Sequence, residues 1–480
     1  MARGSRRHLQ AAVCLCFALA LGPRLSSAQT NAETNSPWLQ LNLSVPGARS
    51  LALGGAFLGL SDDATSAYAN PAGLAFLPGR EISVEGRYWK FHHEFTRGGS
   101  LLPGGSPVPG REPNDSRDLS FASLVLGRKS WGLAVYMHRL AKFRAKFDTN
   151  GLVLEPGLRL FPARIDHRVD IRNLGASFGK AWTLGGKRPP GERAFQPKIA
   201  IGIGRAFYSF ELSSRMDRFR VERLDDPAPR LVADNVHDTQ TQRGDDGDGG
   251  WLAGFLFWPS RDWRFGASFR QGAGFGVEVE NVDGPAHRGV SLATPTPIRS
   301  AFNVPDVVGV GVMWSPHRRI KLSGGEEIEL PRRFKLVLDV YEVGYSVLAA
   351  DIVDAFGLKP APGDAEPCRR GELTGQRCGA ELDRFVADDG VEVHLGAEIL
   401  VGPPRRSFFL RVGAWRDPNH ALRFEGERAA FREVFKKGED LDHFSIGVGT
   451  TGYRFQFDAA VDWANPRRTR TVSLSSVVRF

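Results

Sequence analysis

The sequence has a single long apolar run, and it stands at the very beginning. The run extends from Leu9 to Leu21, after three arginines and before the small residues Ser26-Ser27-Ala28. It is short for the roughly 30 Å hydrocarbon core of a bilayer, and no second apolar helix follows it. The pattern predicts a secretory signal peptide over residues 1–28, with a membrane-anchoring helix as the alternative. A bundle of membrane-spanning helices is excluded, and export is expected.

Cysteine is scarce, with 4 in 480 residues. Cys14 and Cys16 belong to the predicted signal peptide, which leaves Cys368 and Cys378 in the exported chain. In an oxidising compartment, two cysteines this close in sequence favour a local disulfide. The alternative, a metal site, needs more ligands nearby than the sequence offers. We therefore expect a disulfide between Cys368 and Cys378 and no bound metal.

Basic residues are in modest excess and are not clustered. The chain has 63 Lys and Arg against 54 Asp and Glu, a net charge of +9. They form neither a basic stripe nor a known nucleic-acid-reading motif, so no nucleic acid is expected as a partner. Arginines that face a wet lumen, or the anionic head groups of outer-membrane lipids, explain the excess more simply.

Signals for catalysis and for cofactors are also missing. His138, His167 and His394 fall in predicted strands, without a serine in a nucleophile-elbow context. The run Asp245 to Gly249 is similar to a calcium loop, but an apolar residue stands where the closing glutamate is needed, so we predict a solvated loop tip. The glycines between Ile199 and Arg205 are predicted to lie in a strand, because no helix follows them as in a phosphate loop. Neither enzymatic activity nor a cofactor is expected.

What the sequence has in abundance is alternation of apolar and polar residues. From Tyr453 to Phe480 the two types alternate, with one break at Asn465-Pro466. A period of two places successive side chains on opposite faces of a sheet. Charges on one face and apolar groups on the other suit a barrel with water inside and lipid outside. Fourteen such segments are predicted, at about residues 81–93, 117–127, 130–147, 163–184, 196–223, 249–259, 262–281, 305–316, 332–349, 390–400, 406–416, 441–449, 453–463 and 469–480.

The gaps between these segments follow a rhythm that was not used to find the strands. Those after odd-numbered strands are mostly long, and several after even-numbered strands are short, as at 128–129 and 260–261. Bacterial outer-membrane barrels have short periplasmic turns and long outer loops, whereas soluble sandwiches and propellers have no reason to sort loops by parity. The predicted fold is all-β, a fourteen-stranded antiparallel transmembrane barrel over residues 81–480.

The segment before the barrel, residues 29–80, has a different texture and predicts a small plug inside the lumen. Gly54-Gly55 allows a tight approach of the main chain. Ser61 or Asp62 is expected to cap a short helix through residues 64–68. Asn70-Pro71 ends that helix, since the residue before a proline is forced out of the helical conformation. A lumen too wide for its own side chains to fill gives such a plug its place.

In this segment the chain resembles the FadL-type outer-membrane transporters of hydrophobic compounds. The resemblance rests on the step Gly54 to Phe57, the pair Asp62-Asp63 and above all Asn70-Pro71-Ala72-Gly73-Leu74, and it extends to Val304–Pro316 and Val391–Leu400 in the barrel. It implies a monomeric barrel closed by an N-terminal hatch. Hydrophobic molecules such as long-chain fatty acids would bind at the outer loops, pass inside and leave when the hatch shifts, often sideways into the membrane.

The same resemblance suggests roles for individual residues. Asn70, Pro71 and Ala72 correspond to the hatch motif, with Gly54 and Gly55 as hinge or packing positions; a purely structural role for all five is the alternative. Phe57, Leu58, Phe76 and Leu77 are candidate ligand contacts, with plug core as the competing interpretation. The expected function is passive uptake of long-chain fatty acids or other hydrophobic small molecules across the outer membrane. The alternative, also suggested by resemblance, is a PorV-type scaffold or shuttle in protein secretion.

Phe480 is expected to serve assembly and not transport. It closes the last predicted strand with an aromatic ring on the outward face. Strand ends of this kind are what the barrel-assembly machinery recognises in outer-membrane barrels, which makes that machinery an expected partner.

Overall fold

The computed structural model describes residues 43–155, 158–185, 195–221, 231–288, 291, 293–294, 296–321, 327–331, 333–348, 384–402, 407–421, 423–425, 432–433, 435, 437–465 and 469–480. The predicted signal peptide, the first residues of the predicted plug, and both Cys368 and Cys378 lie outside these ranges. Within them, no helix is both long enough and apolar enough to span a bilayer.

The described chain is built almost entirely of β-strands. Their bounds are β1 Arg80–Ser100, β2 Pro107–Arg128, β3 Trp131–Thr149, β4 Leu152–Glu155, β5 Leu158–Leu160, β6 Ala163–Thr183, β7 Lys198–Phe219, β8 Val236–Trp258, β9 Trp263–Arg270, β10 Ala273–Asp283, β11 Ile298–Val304, β12 Val307–Trp314, β13 His317–Lys321, β14 Glu327–Pro331, β15 Phe334–Val343, β16 Arg384–Val386, β17 Gly390–Val401, β18 Ser407–Asp417, β19 Arg423–Glu425, β20 Leu441–Thr451, β21 Phe455–Asn465 and β22 Arg470–Arg479.

Antiparallel pairing closes these strands into a ring. The order is β1, β2, β3, β6, β7, β8, β9, β12, β15, β17, β18, β20, β21 and β22, and β22 pairs again with β1. The predicted barrel of 14 strands is confirmed. Strands β10 and β11 pair with each other and continue β9 and β12 after short breaks. Closure gives each of these 14 strands a paired neighbour on both sides, which suits strands that cross a hydrocarbon layer.

Side chains alternate around the wall as the sequence predicts. Leu174, Phe207 and Leu474 point outward and are 63%, 64% and 61% exposed. Glu398 and Arg411, in contrast, point inward and are buried. An apolar outer face and a charged inner face reverse the arrangement of a soluble protein and suit lipid outside and water inside.

Several predicted boundaries are wrong. Strands β1 and β2, for example, pair far beyond the predicted ends at residues 93 and 117. Three further differences concern local structure. Asp245–Gly249 was expected to form a loop tip but lies within β8, where it pairs with β7. Cross-strand pairing outweighs the low strand propensity of Asp and Gly. The predicted strand at 332–349 ends at Val343 and is followed by a 3-10 helix, Tyr345–Leu348. The expected turn at 317–331 contains a second hairpin, β13 with β14.

The plug segment, which we define as Leu43–Gly79, lies against the inner wall. It contains the helices α1 Ala48–Ala52 and α2 Ser66–Ala69 and a 3-10 helix, Pro71–Phe76. Nearly all of its residues are buried, although no β-strand forms within it. A short chain with this little regular structure must bury its main-chain polar groups against the wall, and those groups need partners there.

Candidate functional site: the plug seat and the cavity above it

Inward-facing glycines form the seat of the plug. On each of several strands, a Cβ atom added to a glycine would collide with the plug main chain. Pro71 and Ala72, for example, lie against Gly202 of β7. The glycines that contact the plug in this way are Gly127, Gly132, Gly179, Gly202, Gly254, Gly266, Gly396 and Gly413. The sequence pattern placed the glycines of 199–205 in a strand, but their contact with the plug could not be seen from sequence.

The hatch motif residue Asn70 ties the plug to the wall through its side chain. Its amide nitrogen donates to the carbonyl of Leu58 at 3.2 Å and to that of Phe255 on β8 at 3.1 Å. Its side-chain oxygen accepts from the N–H of Ala72 at 3.2 Å and so begins the 3-10 helix. Asn70 thus connects two parts of the plug and one barrel strand. Pro71 follows at the first position of that helix, where its missing N–H costs nothing.

Asp339 of β15 holds a second stretch of plug main chain. Its carboxylate accepts from the N–H groups of Phe57 at 2.5 Å and Leu58 at 2.7 Å, and from the hydroxyl of Tyr341 at 3.1 Å. All of these groups are buried. Hydrogen bonds from amides to an ionised acceptor are stronger than neutral ones. Asp339 falls within the predicted strand at 332–349, where no local motif marks it as a plug contact.

A buried ionic network joins α1 to four barrel strands. The guanidinium of Arg49 contacts Asp62 at 2.6 Å, Asp63 at 3.3 Å and Glu398 of β17 at 3.2 Å. Glu398 is in turn contacted by Lys335 and Arg411. Burial alone would raise the pKa of Asp62, but the charge of Arg49 lowers it below the ordinary value of 3.8. Asp62 is therefore an ion-pair partner.

The predicted capping of the plug helix by Ser61 or Asp62 is wrong. The helix is shorter than expected, Ser66–Ala69, and has no side-chain cap at its first position. Asp63 instead accepts from the N–H of Thr65 at 3.0 Å in the turn before it. Asp62 is not available as a cap because it pairs with Arg49.

Gly54 and Gly55 lie where the plug touches the wall most closely. Both have positive φ, at 66° and 83°. A Cβ at Gly54 would lie 2.8 Å from the carbonyl oxygen of Ala414, and one at Gly55 would lie 2.7 Å from Nδ1 of His394. His394 donates from Nδ1 to the carbonyl of Gly54. The expected tight main-chain approach is present at this turn, and only glycine fits it.

Above this turn, toward the end of the barrel with the long loops, lies a cavity. It has about 820 Å³ of empty space, its solvent-open part included. The plug contributes its floor, including Gly54 and Gly55. The side chains of the wall that line it are largely aromatic or titratable: Arg87, Trp89, Tyr345, Glu392, His394, Trp415, Asp417, His420, His443 and Asp462.

Aromatic rings in this cavity are stacked and held by carboxylates. Trp415 lies between His394, with ring centroids 5.1 Å apart, and His443, at 3.9 Å. Asp462 accepts from Nε1 of Trp415 at 3.1 Å and contacts Nδ1 of His443 at 2.8 Å. A second stack pairs Tyr345 with a histidine of the outer loop, His420, at 4.2 Å. Rings fixed in this way form a rigid surface for a planar molecule.

The main-chain ladder between β2 and β3 ends partway along the two strands and leaves a gap in the pairing of the wall. Their ladder runs from Arg128 and Trp131 only as far as Phe121 and His138; beyond that point β2 pairs with β1, and β3 pairs with β6. A bulge after Arg139 bends β3, and it leaves two consecutive residues, Leu140 and Ala141, buried.

Side chains and not main-chain bonds cross this opening. Asp118 of β2 contacts Arg139 at 2.6 Å and Lys142 at 2.5 Å. A smaller cavity lies here, with about 300 Å³ of empty space that includes its solvent-open part, and Arg87 and Trp89 line both this cavity and the larger one. The two cavities therefore meet at the same pair of side chains.

A second interruption lies between β8 and the pair β9 and β10. Pairing stops at Leu252 with Arg270 and resumes at Arg243 with Glu278. In between, the carboxylate of Asp248 accepts from the N–H of Gly274 at 3.0 Å, and Asp246 does the same for a neighbouring glycine. The aspartates that were predicted to be in a loop tip thus satisfy main-chain donors of the wall.

The predicted ligand contacts do not line either cavity. Phe57, Leu58 and Leu77 are buried in the core between plug and wall, and Phe76 packs at its edge beside Trp258. Phe480 lies far along the chain from the plug, and its main chain exchanges hydrogen bonds with Arg80. The cavity residues carry no local sequence signal, because they come from six strands and their loops.

Comparison with solved structures identifies the fold of the chain. No protein-family profile and no curated protein sequence matches the chain. Among solved structures, a Pseudomonas aeruginosa FadL homologue is similar over 95% of this chain and 99% of its own, with a TM-score of 0.50 and 11% identity. The chain has the FadL-type fold. The Ralstonia pickettii toluene transporter TbuX is similar over 92% and 99%, with a TM-score of 0.49 and 12% identity. The resemblance read from the sequence is thus confirmed for the fold.

Proposed function

We propose that the protein is a plug-gated channel of the outer membrane that takes up small hydrophobic molecules without an energy source. The observation that carries this proposal is a pair of cavities that share Arg87 and Trp89 in their walls, one resting on the plug and the other lying beside the gap in pairing between β2 and β3. The FadL-type fold, shared with the Pseudomonas aeruginosa FadL homologue, supports it. The proposed substrates are hydrophobic small molecules in general.

The proposed route begins at the long-loop end, which faces outward in barrels of this kind. A solute rests against the rings above Gly54, passes Arg87 and Trp89, and leaves through the opening above Phe121. Such a path lets an apolar molecule reach lipid without crossing water, so its free energy falls along the way. Movement of the plug, by loss of the Asn70 and Asp339 contacts, would widen the path.

The opening can be tested by filling it. Ala141 is buried beside it, so Ala141→Trp should block passage while leaving the larger cavity intact. We expect cells that carry this variant to accumulate a radiolabelled aromatic hydrocarbon at the background rate, while the purified variant still binds it. Leu174→Trp, on the exposed outer face, is the matched control and should transport normally. Normal uptake by Ala141→Trp would contradict the lateral route.

The same protein preparations can test the alternative function, a scaffold for protein secretion. If the purified wild-type barrel binds no hydrophobic probe at micromolar concentration but retains a defined secreted protein of its own organism at the long-loop end, the channel proposal is wrong.

A further inference from the structure

The basic groups of the larger cavity are already matched to carboxylates. His394 contacts Glu392 at 3.0 Å, His443 contacts Asp462 at 2.8 Å, and His420 contacts Asp417 at 3.4 Å. Whether each imidazole is protonated or neutral, none of these pairs carries net positive charge. Among the described lining residues, the remaining cation is the guanidinium of Arg87.

Arg87, the guanidinium in question, is paired as well. It donates to Glu85 through Nε at 3.2 Å and through its terminal nitrogen at 2.9 Å, and Glu85 is itself buried. Arg270, another buried guanidinium in the lumen, stacks over Tyr68 and is not among the residues that line the cavity. A ligand carboxylate entering this cavity would therefore lose its water and find no unpaired cation among the described lining residues, which is strongly unfavourable.

The same walls are suited to a group of the opposite kind. Glu392, Asp417 and Asp462 place three carboxylates around one space. Nε2 of His443 is buried and has no hydrogen-bond partner in the described part of the chain. With Nδ1 turned to Asp462, this nitrogen is an acceptor in the neutral ring. Acceptors and ring faces together favour a flat molecule that carries N–H donors and positive charge.

We propose that the cavity selects small aromatic amines in their ammonium form over carboxylates, fatty acids included. This proposal rests on the proposed channel function and narrows its substrate. The ring would lie along the aromatic wall near Trp415, and the ammonium group would face Glu392 and Asp462. The three-carboxylate lining thus sets the charge of the solute, while ring stacking sets its shape.

The test compares three aromatic ligands of similar size and different charge, together with a fatty acid. Phenethylamine, ethylbenzene, phenylacetate and hexadecanoate are titrated into the detergent-extracted full-length protein, with binding followed by calorimetry. We expect phenethylamine to bind at least about tenfold more tightly than phenylacetate, a difference of about 1.4 kcal/mol. Added salt should weaken binding of the amine and leave ethylbenzene unaffected.

Two variants assign the effect to the cavity. Glu392→Gln should weaken phenethylamine by about tenfold and leave ethylbenzene unchanged, since one of three carboxylates loses its charge. Asp462→Asn should do the same and carries the test if the first variant folds poorly. Glu211→Gln removes a carboxylate that is half exposed on β7, and it should change nothing.

The possible outcomes distinguish a failure of the charge preference from a failure of the channel proposal. Equal or tighter binding of phenylacetate or hexadecanoate overturns the charge preference and leaves the channel proposal standing. Tight binding of ethylbenzene alone has the same meaning. If a correctly folded barrel binds none of the four probes, both proposals fail.

Discussion

The carboxylate of Asp339 lies where two main-chain N–H groups of the plug would otherwise have no acceptor. Phe57 and Leu58 are wholly buried, and the turn they form has no strand or helix partner of its own. An unsatisfied buried donor costs about 1–3 kcal/mol, so one side chain decides whether this turn can stay inside the barrel. Asn70 plays the corresponding part at the other end of the plug.

Asp339→Asn should loosen the plug without unfolding the barrel. The amide keeps one acceptor oxygen but loses the charge that strengthens both bonds, a cost of roughly 1.5–3 kcal/mol. Hydrogen exchange of peptides from residues 43–79, followed by mass spectrometry, should accelerate by roughly ten- to a hundredfold. Asp442→Asn, an exposed position on β20, is the matched control. Unaltered exchange in the first variant would show that Asp339 does not retain the plug.

The pairing of His420 with Asp417 predicts a shifted titration. Burial alone would lower the pKa of His420, but Asp417 raises it above the ordinary value of 6.5. Because the folded-state pKa is the higher one, the pair stabilises the protein fully below pH 6.5 and less as the pH rises through the folded-state pKa. NMR of ring-labelled histidine should show that the pKa of His420 falls in Asp417→Asn. Should its titration be the same in both proteins, the ion pair is absent in solution.

At the scale of elements, strands and plug fit together because glycine recurs at one level of the wall. Each seat glycine removes a Cβ where the plug main chain passes, so strands that are otherwise rich in bulky residues leave a flat inner ring. Strand propensity disfavours these glycines, which indicates that close packing against the plug outweighs it. The bulge in β3 has a comparable local cause, since Leu140 is one extra residue in the ladder with β6.

A methyl group added to a seat glycine should weaken the packing of the plug against the wall. Gly202→Ala places a Cβ against the main chain of Pro71 and Ala72, and such overpacking costs about 1–3 kcal/mol. We expect a lower thermal midpoint for the barrel-to-unfolded mobility shift on gels, together with faster hydrogen exchange in the 3-10 helix. Gly86→Ala in β1 has no atom within 4 Å of the new Cβ and serves as control. If both variants behave alike, contact at the seat is not what requires glycine.

For the whole molecule, alternation and loop parity were enough to predict the ring of strands, because both are local properties of the sequence. The interior was not predictable in that way. Arg49 and Glu398, for instance, are 349 residues apart, and their contact depends on the closed barrel. Asp246 was misplaced for the same reason, since its hydrogen bond to Gly276 forms only when β8 lies beside β10. The motif around Asn70 pointed to the plug, but the cavity above it required the assembled wall.

The main chain and the ring of Phe480 have separate contacts, so their roles can be tested separately. Its main chain exchanges hydrogen bonds with Arg80, at 3.1 and 3.4 Å, beside the ladder that joins β22 to β1. Its ring is 59% exposed and contributes little to packing. Phe480→Ala keeps the main-chain bonds and removes only the ring, so we expect less barrel in the outer membrane, measured by immunoblotting, but unchanged transport per inserted molecule. Phe480→Tyr, which keeps an aromatic ring, should insert normally. Equal insertion of all three proteins would mean that the assembly machinery does not read this ring.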